Sequence, residues 1–145
     1  MSTTYSSKLY VKRFNTEAVL PERKSGDAAG YDLCTTESHT LGPGERKLFP
    51  TGIGFTVPEG TYGQIAPRSG LSCKGILVGA GVIDRDYTGE VKVLLFNMGT
   101  DELVINDGDR IAQLIVKKID KPDIEEVESL EETNRGEGGF GSTGN

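Results

Sequence analysis

The sequence predicts an all-β domain, a sandwich or a barrel of many short strands, followed by a mobile C-terminal arm. Three observations predict it. Glycine contributes 20 of the 145 residues and tryptophan none, while hydrophobic residues make up only 35%. That composition suits short strands and turns better than long helices. Turn chemistry recurs at Gly42-Pro43-Gly44, Pro50-Thr51-Gly52 and Pro58-Glu59-Gly60. The gaps between these turns fit strands of about four to six residues and leave no room for a helix of ordinary length. A chain of this size makes one domain and buries about two-thirds of its unfolded surface.

Taken in order, "KLYVKRF" alternates apolar and charged residues as a first strand does. The loop "PERKSGDAAG" leads into "YDLCTT" as a second, and the turn-rich stretch through "TYGQIAP" supplies several more. In "SGLSCKG", Ser69 can cap a short helical turn that Gly75 ends, with Arg68 directly before it. "GVIDRDYTGEVKVLLFN" reads as two strands joined by a tight turn near Asp86 to Gly89. Val91, Val93 and Leu95 share one face of the second strand, with Lys92, Leu94 and Phe96 on the other, so both faces are largely covered. "DELVINDGDRIAQLIVKKI" repeats the pattern around Asn106-Asp107-Gly108, and Gln113 shares a face with Ile111 and Ile115, where a lone amide needs a partner. Beyond Pro122, Ile124, Val127 and Leu130 recur every third residue. Asp123 and Glu126 suit a capping box there, so periodicity by itself favours a short helix.

Charge narrows the function. The formal net charge is -6, with acidic residues crowded into "PDIEEVESLEETN". A nucleic-acid-binding module needs a basic face, so that class is disfavoured. The longest apolar stretch, "ILVGAGVI", is too short to span a bilayer, and the first residues lack the apolar centre of a signal peptide. These features read as a soluble, intracellular protein, with Cys34 and Cys73 as two free thiols. The single histidine, His39, sits in polar "TESHTLG" as a surface residue, and a zinc site has almost no support.

Several residue sets carry chemistry. An exposed helix N-terminus after Arg68 suits an anion. Asp84 and Asp86 project to one face if their strand continues, and either can take a proton from water in a shielded site; the alternative is two solvated turn carboxylates. Asp32 follows small residues in "AAGYDLC", where a turn carboxylate bonded to nearby amides is the structural reading. The tail "RGEGGFGSTGN" offers Arg135, Phe140, Ser142 and Thr143: a guanidinium fork, an aromatic face and two hydroxyls, which suit a phosphorylated ring compound. A frayed terminus is the plain alternative.

In this order, "AAGYDLCTT", "PRSGLSCKG", "GVIDRDYTGEVKVLLFN", "GDRIAQLIV" and "RGEGGFGSTG" resemble the five motifs of the all-β, trimeric dUTP pyrophosphatase (dUTPase) family. The likeness spans Ala28 to Gly144. It implies a distorted jelly-roll of the β-clip type with one short helix, in which residues 1–134 form the core with a connecting arm and 135–145 a glycine-rich lid. It implies hydrolysis of dUTP to dUMP and pyrophosphate with Mg²⁺, which limits uracil incorporation into DNA and supplies dUMP for thymidylate synthesis. The family's homotrimer holds three active sites, each assembled from all three chains.

Residue by residue, the resemblance makes Asp84 the carboxylate that activates the attacking water. Arg68, Ser69, Gly70 and Gln113 bind phosphate, and the Tyr87 ring packs under the deoxyribose. Gly81, Val82, Ile83 and Lys92 offer backbone to the uracil edge. Asp32 supports the metal through water. In the lid, Phe140 stacks on uracil, Gly141 beside it also binds substrate, and Arg135, Ser142 and Thr143 hold the distal phosphates. Cytosine would leave two buried polar groups unpaired at about 1–3 kcal/mol each, or roughly two to four decades of discrimination.

The sequence departs from the family pattern at Gln64 and Thr88, where arginine is frequent, and at Lys92, where glycine is frequent. The family also expects the segment after Pro122 to be an extended arm, against the periodicity. The arm is the reading adopted, because that connection spans subunits and a helix of about nine residues is marginal alone. Two rivals stand beside this reading: a catalytically silent relative that binds nucleotide or a partner, and a dCTP deaminase on the same fold.

Overall fold

The computed structural model describes residues 7–141. Its first half follows the turns. Strand β1 is Tyr10–Arg13, β2 Tyr31–Cys34, β3 His39–Leu41, β4 Arg46–Pro50, β5 Ile53–Thr56 and β6 Thr61–Ala66. The three turns that separate β3 from β4, β4 from β5 and β5 from β6 each place a glycine in the left-handed region: Gly44 at φ 79°, Gly52 at 72° and Gly60 at 81°. That conformation is open to glycine at little steric cost, which is why the turns were legible. The single-turn helix α1, Ser69–Ser72, follows. Then come β7 (Ile76–Gly79), β8 (Val82–Ile83), β9 (Lys92–Asn97), β10 (Leu103–Ile105) and β11 (Arg110–Lys118).

Among the described residues the strands form four antiparallel sheets, ordered β1-β5, β10-β3, β2-β11-β6-β8 and β4-β9-β7. The arrangement is of the jelly-roll, β-clip type, with no closed barrel. One core holds it together: Leu33, Leu41, Phe49, Ile53, Ile76, Val91, Val93, Leu95, Ile111 and Leu114 are all at most 2% exposed. Full burial of such side chains is worth about 1.5–3 kcal/mol each before entropy is charged. Asn97 lies fully buried among them. Its amide nitrogen donates to the Leu41 and Asp101 carbonyls, and its side-chain oxygen accepts from the Gly99 amide, so the polar group costs little.

Several expectations need correction. Val82–Ile83 and Lys92–Asn97 do not pair with each other. β8 pairs with β6, and β9 with β4 and β7, so the hairpin is β7–β9 with its tip drawn away to another sheet. The tight turn lies earlier than expected, closed by the Tyr87 amide donating to the Asp84 carbonyl at 3.1 Å. Asp84 and Asp86 therefore do not alternate along a strand. On β9, Val93 and Leu95 are buried as expected, but Lys92 is exposed and Leu94 and Phe96 only half-covered. Arg68, not Ser69, occupies the cap position of α1, and no side chain caps it. His39 stays at the surface with its side chain 31% exposed, though partly covered: it opens β3, sits 3.0 Å from Glu45 and packs edge-on against Phe49.

Among the described residues after Pro122 there is no helix, and Ile124, Val127 and Leu130 stand 99%, 53% and 86% exposed. A period of three without an apolar surface to cover has no driving force to coil. The extended arm is what forms.

Candidate active site

The predicted residues fall into three groups. The first lies where β11 runs between β2 and β6. Gln113 stands opposite Asp32 on one side and Ala66 on the other. Its amide nitrogen donates to the Pro67 carbonyl at 2.9 Å, which supplies the partner its half-buried position requires. Gly30 makes room for it, since a Cβ there would overlap the Gln113 side-chain oxygen. A β-bulge between Arg110 and Ala112 means that Ile111 does not share the Gln113 face; it turns into the core instead.

Arg68 stands just past the end of β6, in extended conformation, and donates from Nη1 to the Arg110 carbonyl at 3.1 Å. Ser69 and Gly70 follow on the exposed first turn of α1. Four helical residues leave the leading amides without intrahelical acceptors. A Cβ on Gly70 would meet nothing of its own chain within 4 Å, so packing inside the protomer does not demand glycine there.

Asp32 is not a turn carboxylate. It lies within β2, only 19% exposed by its side chain, and forms an ion pair with Arg110 at 3.6 Å. Among the described residues no three His, Cys, Asp or Glu side chains gather to hold a metal ion. A Mg²⁺ ion usually keeps several waters and needs only one or two carboxylates beside phosphate oxygens, and Asp32 is the residue that would hold it here, through water. Beneath this pair the Cys34 thiol is pushed up in pKa, chiefly by burial, against a lowering influence from Arg110. Both cysteines are free, Cys34 buried and Cys73 exposed.

The second group lines β8 and the turn after it. Gly81 has φ 102° and lies against β6: its carbonyl accepts from the Ile65 amide at 2.7 Å, and a Cβ would stand 2.8 Å from the Ile65 carbonyl oxygen. Val82 and Ile83 pair with Gln64 and Gly63. Continuing the β7–β9 register, in which Gly79 faces Leu94, would set Gly81 opposite Lys92, so the two belong to one open hairpin tip. Asp84 follows, exposed on its turn. Tyr87 is anchored by its hydroxyl donating to the Glu90 carbonyl at 2.6 Å, and the Glu90 carboxylate in turn accepts from the Gly52 amide at 2.9 Å.

The third group is the arm. Arg135 Nε donates to the Gly138 carbonyl at 2.5 Å, and the Gly138 amide returns a bond to the Arg135 carbonyl. Phe140 (φ 50°) is fully exposed, and Gly141 (φ 75°) closes the described chain. Ser142 and Thr143 lie outside the described residues. The fold thus gathers Asp32, Gln113, Arg68, Ser69 and Gly70 and sets the hairpin tip along β6 from them, while the described hydrogen bonds of the arm run within the arm.

Two contributors escaped the sequence reading. Arg110 lies inside "GDRIAQLIV", but only the bulge turns it toward Asp32. Glu90 ties Tyr87 to the Gly52 turn through contacts no local pattern announces.

A carboxylate on an exposed turn after β8, and an arginine-led helical turn after β6, the strand that β8 pairs with, are features suited to a phosphorylated ligand. The sequence model of the dUTPase family matches residues 16–144. The deoxyuridine 5'-triphosphate nucleotidohydrolase of Vaccinia virus (strain Copenhagen) is 54% identical over 135 residues, 93% of this chain and 91% of the relative. The Saccharomyces cerevisiae enzyme of the same name is 52% identical over 147 residues, covering both chains fully. Among solved structures, the Staphylococcus bacteriophage 80alpha dUTPase with dUPNHPP superposes with a TM-score of 0.88 at 30% identity, covering 94% of this chain and 98% of the phage chain. A dUTPase variant from phage phi11 of S. aureus, described with a structural Mg(II) ion, gives a TM-score of 0.81 at 28% identity over 86% and 99%. The chain belongs to the dUTPase family.

Proposed function

We infer that the protein hydrolyses dUTP to dUMP and pyrophosphate by attack of water on the α-phosphorus. The observation that carries this reading is the convergence of Asp32, Gln113 and Arg68 through Gly70, distant in sequence, at the end of β6. In a family member, that is where a triphosphate belongs. The remaining N–H groups of the Arg68 fork and the Gln113 amide, with the leading amides of α1, are the donors that would hold anionic oxygens there. Gly70, which nothing in its own chain demands, lets the phosphates approach the backbone.

Asp84 takes the proton from the attacking water. A base on an exposed turn works best once solvent is shut out, and the exposed arm has the reach and the apolar residues to do that on another copy. We therefore read the working unit as a homotrimer whose sites are shared between chains, with residues 1–134 as core and connecting arm and 135–145 as lid. Phe140 covers the uracil, Arg135 with Ser142 and Thr143 holds the distal phosphates, and Gly141 provides the left-handed backbone between them. The open tip at Gly81 to Ile83 and Lys92 presents strand backbone to the uracil edge. The anchored Tyr87 ring supports the deoxyribose and rejects a 2′-hydroxyl. Asp32 would hold Mg²⁺ through water; the ion, when bound, supplies charge neutralisation and polarisation of the phosphates.

No helix of the described residues is long and apolar enough to cross a membrane. Two free thiols suit a reducing, intracellular setting.

Turnover in ¹⁸O-labelled water tests the chemistry. The label is expected in dUMP and absent from pyrophosphate; label in pyrophosphate would place attack at the β-phosphorus and contradict the assigned geometry. Conversion of dCTP to a deaminated nucleotide would favour the deaminase reading instead.

A further inference from the structure

Strand β11 contains an irregularity that the proposed chemistry does not use. Gln113 faces Asp32 and Ala112 faces Leu33, but Arg110, not Ile111, faces Cys34. Directly opposed residues of an antiparallel pair share a face, and residues two apart on one strand do as well. Arg110 and Gln113 are three apart and would otherwise point to opposite faces. The bulge at Ile111 puts both on the face of Asp32.

Two bonds result. The Arg110 guanidinium pairs with the Asp32 carboxylate at 3.6 Å, and the Arg110 carbonyl accepts from Arg68 Nη1 at 3.1 Å. One residue thus touches the carboxylate and the cation assigned to the phosphate end. The Asp32 side chain is mostly buried, so an uncompensated charge there would project into the site at low screening.

We propose that Arg110 is a positioning residue whose guanidinium keeps Asp32 neutralised beside the Arg68 fork, which the Arg110 backbone carbonyl holds whatever the side chain, so that the site accepts a polyphosphate even before a metal ion is present. This rests on reading Asp32 and Arg68 as the triphosphate end of a dUTP site. Without Arg110, the Asp32 charge faces the phosphates directly, and only a divalent cation between them relieves the repulsion. Arg110 substitutions should therefore weaken metal-free binding far more than metal-supported binding. A merely structural role would weaken both alike.

Calorimetric titration of dUpNHpp into the full chain, in EDTA and in excess Mg²⁺, tests this with wild type, Arg110→Gln, Asp32→Asn and the double variant. Arg110→Gln is expected to lose about five-fold in affinity in EDTA and less than about two-fold in Mg²⁺, the scale of one partly exposed ion pair. Adding Asp32→Asn should restore the metal-free affinity. Arg110→Lys, which keeps the charge, should bind as wild type does in EDTA within about two-fold, and it carries the test if the glutamine variant melts early. Unchanged binding of Arg110→Gln in EDTA, equal losses in both buffers, or no rescue by the second substitution would each overturn the proposal. Failure of the wild type to bind in either buffer would instead bring down the dUTP reading and this proposal with it.

Discussion

Gly30 and Gln113 show how much one side chain decides. Gly30 is buried directly under the Gln113 amide, which reaches over it to the Pro67 carbonyl. Gly30→Ala forces that amide aside and breaks its bond. The expected loss is about 1–3 kcal/mol of stability by urea denaturation, accompanied by weaker nucleotide binding. Binding at wild-type strength would mean that Gln113 has no part in holding phosphate. Asp84 is the opposite case: it sits exposed on its turn, so its exchange should cost the fold little. Asp84→Asn is expected to lower turnover at least about 100-fold, the lower end of what a positioned base contributes, while dUpNHpp still binds. Wild-type turnover in that variant would remove Asp84 from the base role.

Glu45 offers a pH reading at the same scale. The Gly42 amide and then His39 hold its carboxyl below the ordinary value of 4.5. A folded pKa below the unfolded one contributes stability above pH 4.5, and that contribution is lost as pH falls below it. Glu45→Gln should therefore flatten the acid side of a stability-against-pH curve between about pH 5 and pH 3. An unchanged acid limb would show that the pair contributes nothing measurable, as many exposed ion pairs do.

At the scale of elements, what could be read from the sequence and what could not divide along physical lines. Turns were legible because glycine and proline act locally: Gly44, Gly52 and Gly60 take the left-handed backbone wherever the rest of the chain goes. The strands on either side were legible as well, though their partners were not. "GVIDRDYTGEVKVLLFN" looks like a hairpin by itself, and only the competition of β6 for Val82 and Ile83 pulls the tip open. The same limit hid Arg110, since a bulge is a register between two strands and leaves no mark in one. After Pro122 the three-residue period pointed to a helix, but a helix without a surface to cover gains nothing from its periodicity, and the family resemblance was the better guide.

The arm's independence from the core makes a further prediction. Removing all residues after Asn134 takes away Arg135, whose described hydrogen bonds are exchanged with Gly138 of the arm itself, and the fully exposed Phe140. The truncated protein is expected to melt within a few degrees of the full chain yet to lose turnover, if residues 135–145 act as the proposed lid that shuts out water and completes the phosphate contacts. Full activity after truncation would refute the lid.

Considered whole, the molecule is a compact β core carrying functional groups that it does not itself enclose. Asp84 and Phe140 lie open to solvent, Ile124 and Leu130 are almost wholly exposed, and the chain carries a net charge of -6 while being assigned an anionic substrate. The proposed homotrimer with Mg²⁺ would reconcile these features: neighbouring copies would cover the apolar arm, and a divalent ion with a few arginines would offset the charge. The most direct test mixes the full chain and Mg²⁺ with dUTP, dCTP, dTTP and UTP in separate reactions and resolves the nucleotides and pyrophosphate. Release of dUMP and pyrophosphate from dUTP alone is the expected result; binding of dUTP without turnover, or comparable turnover of the other nucleotides, would contradict the account.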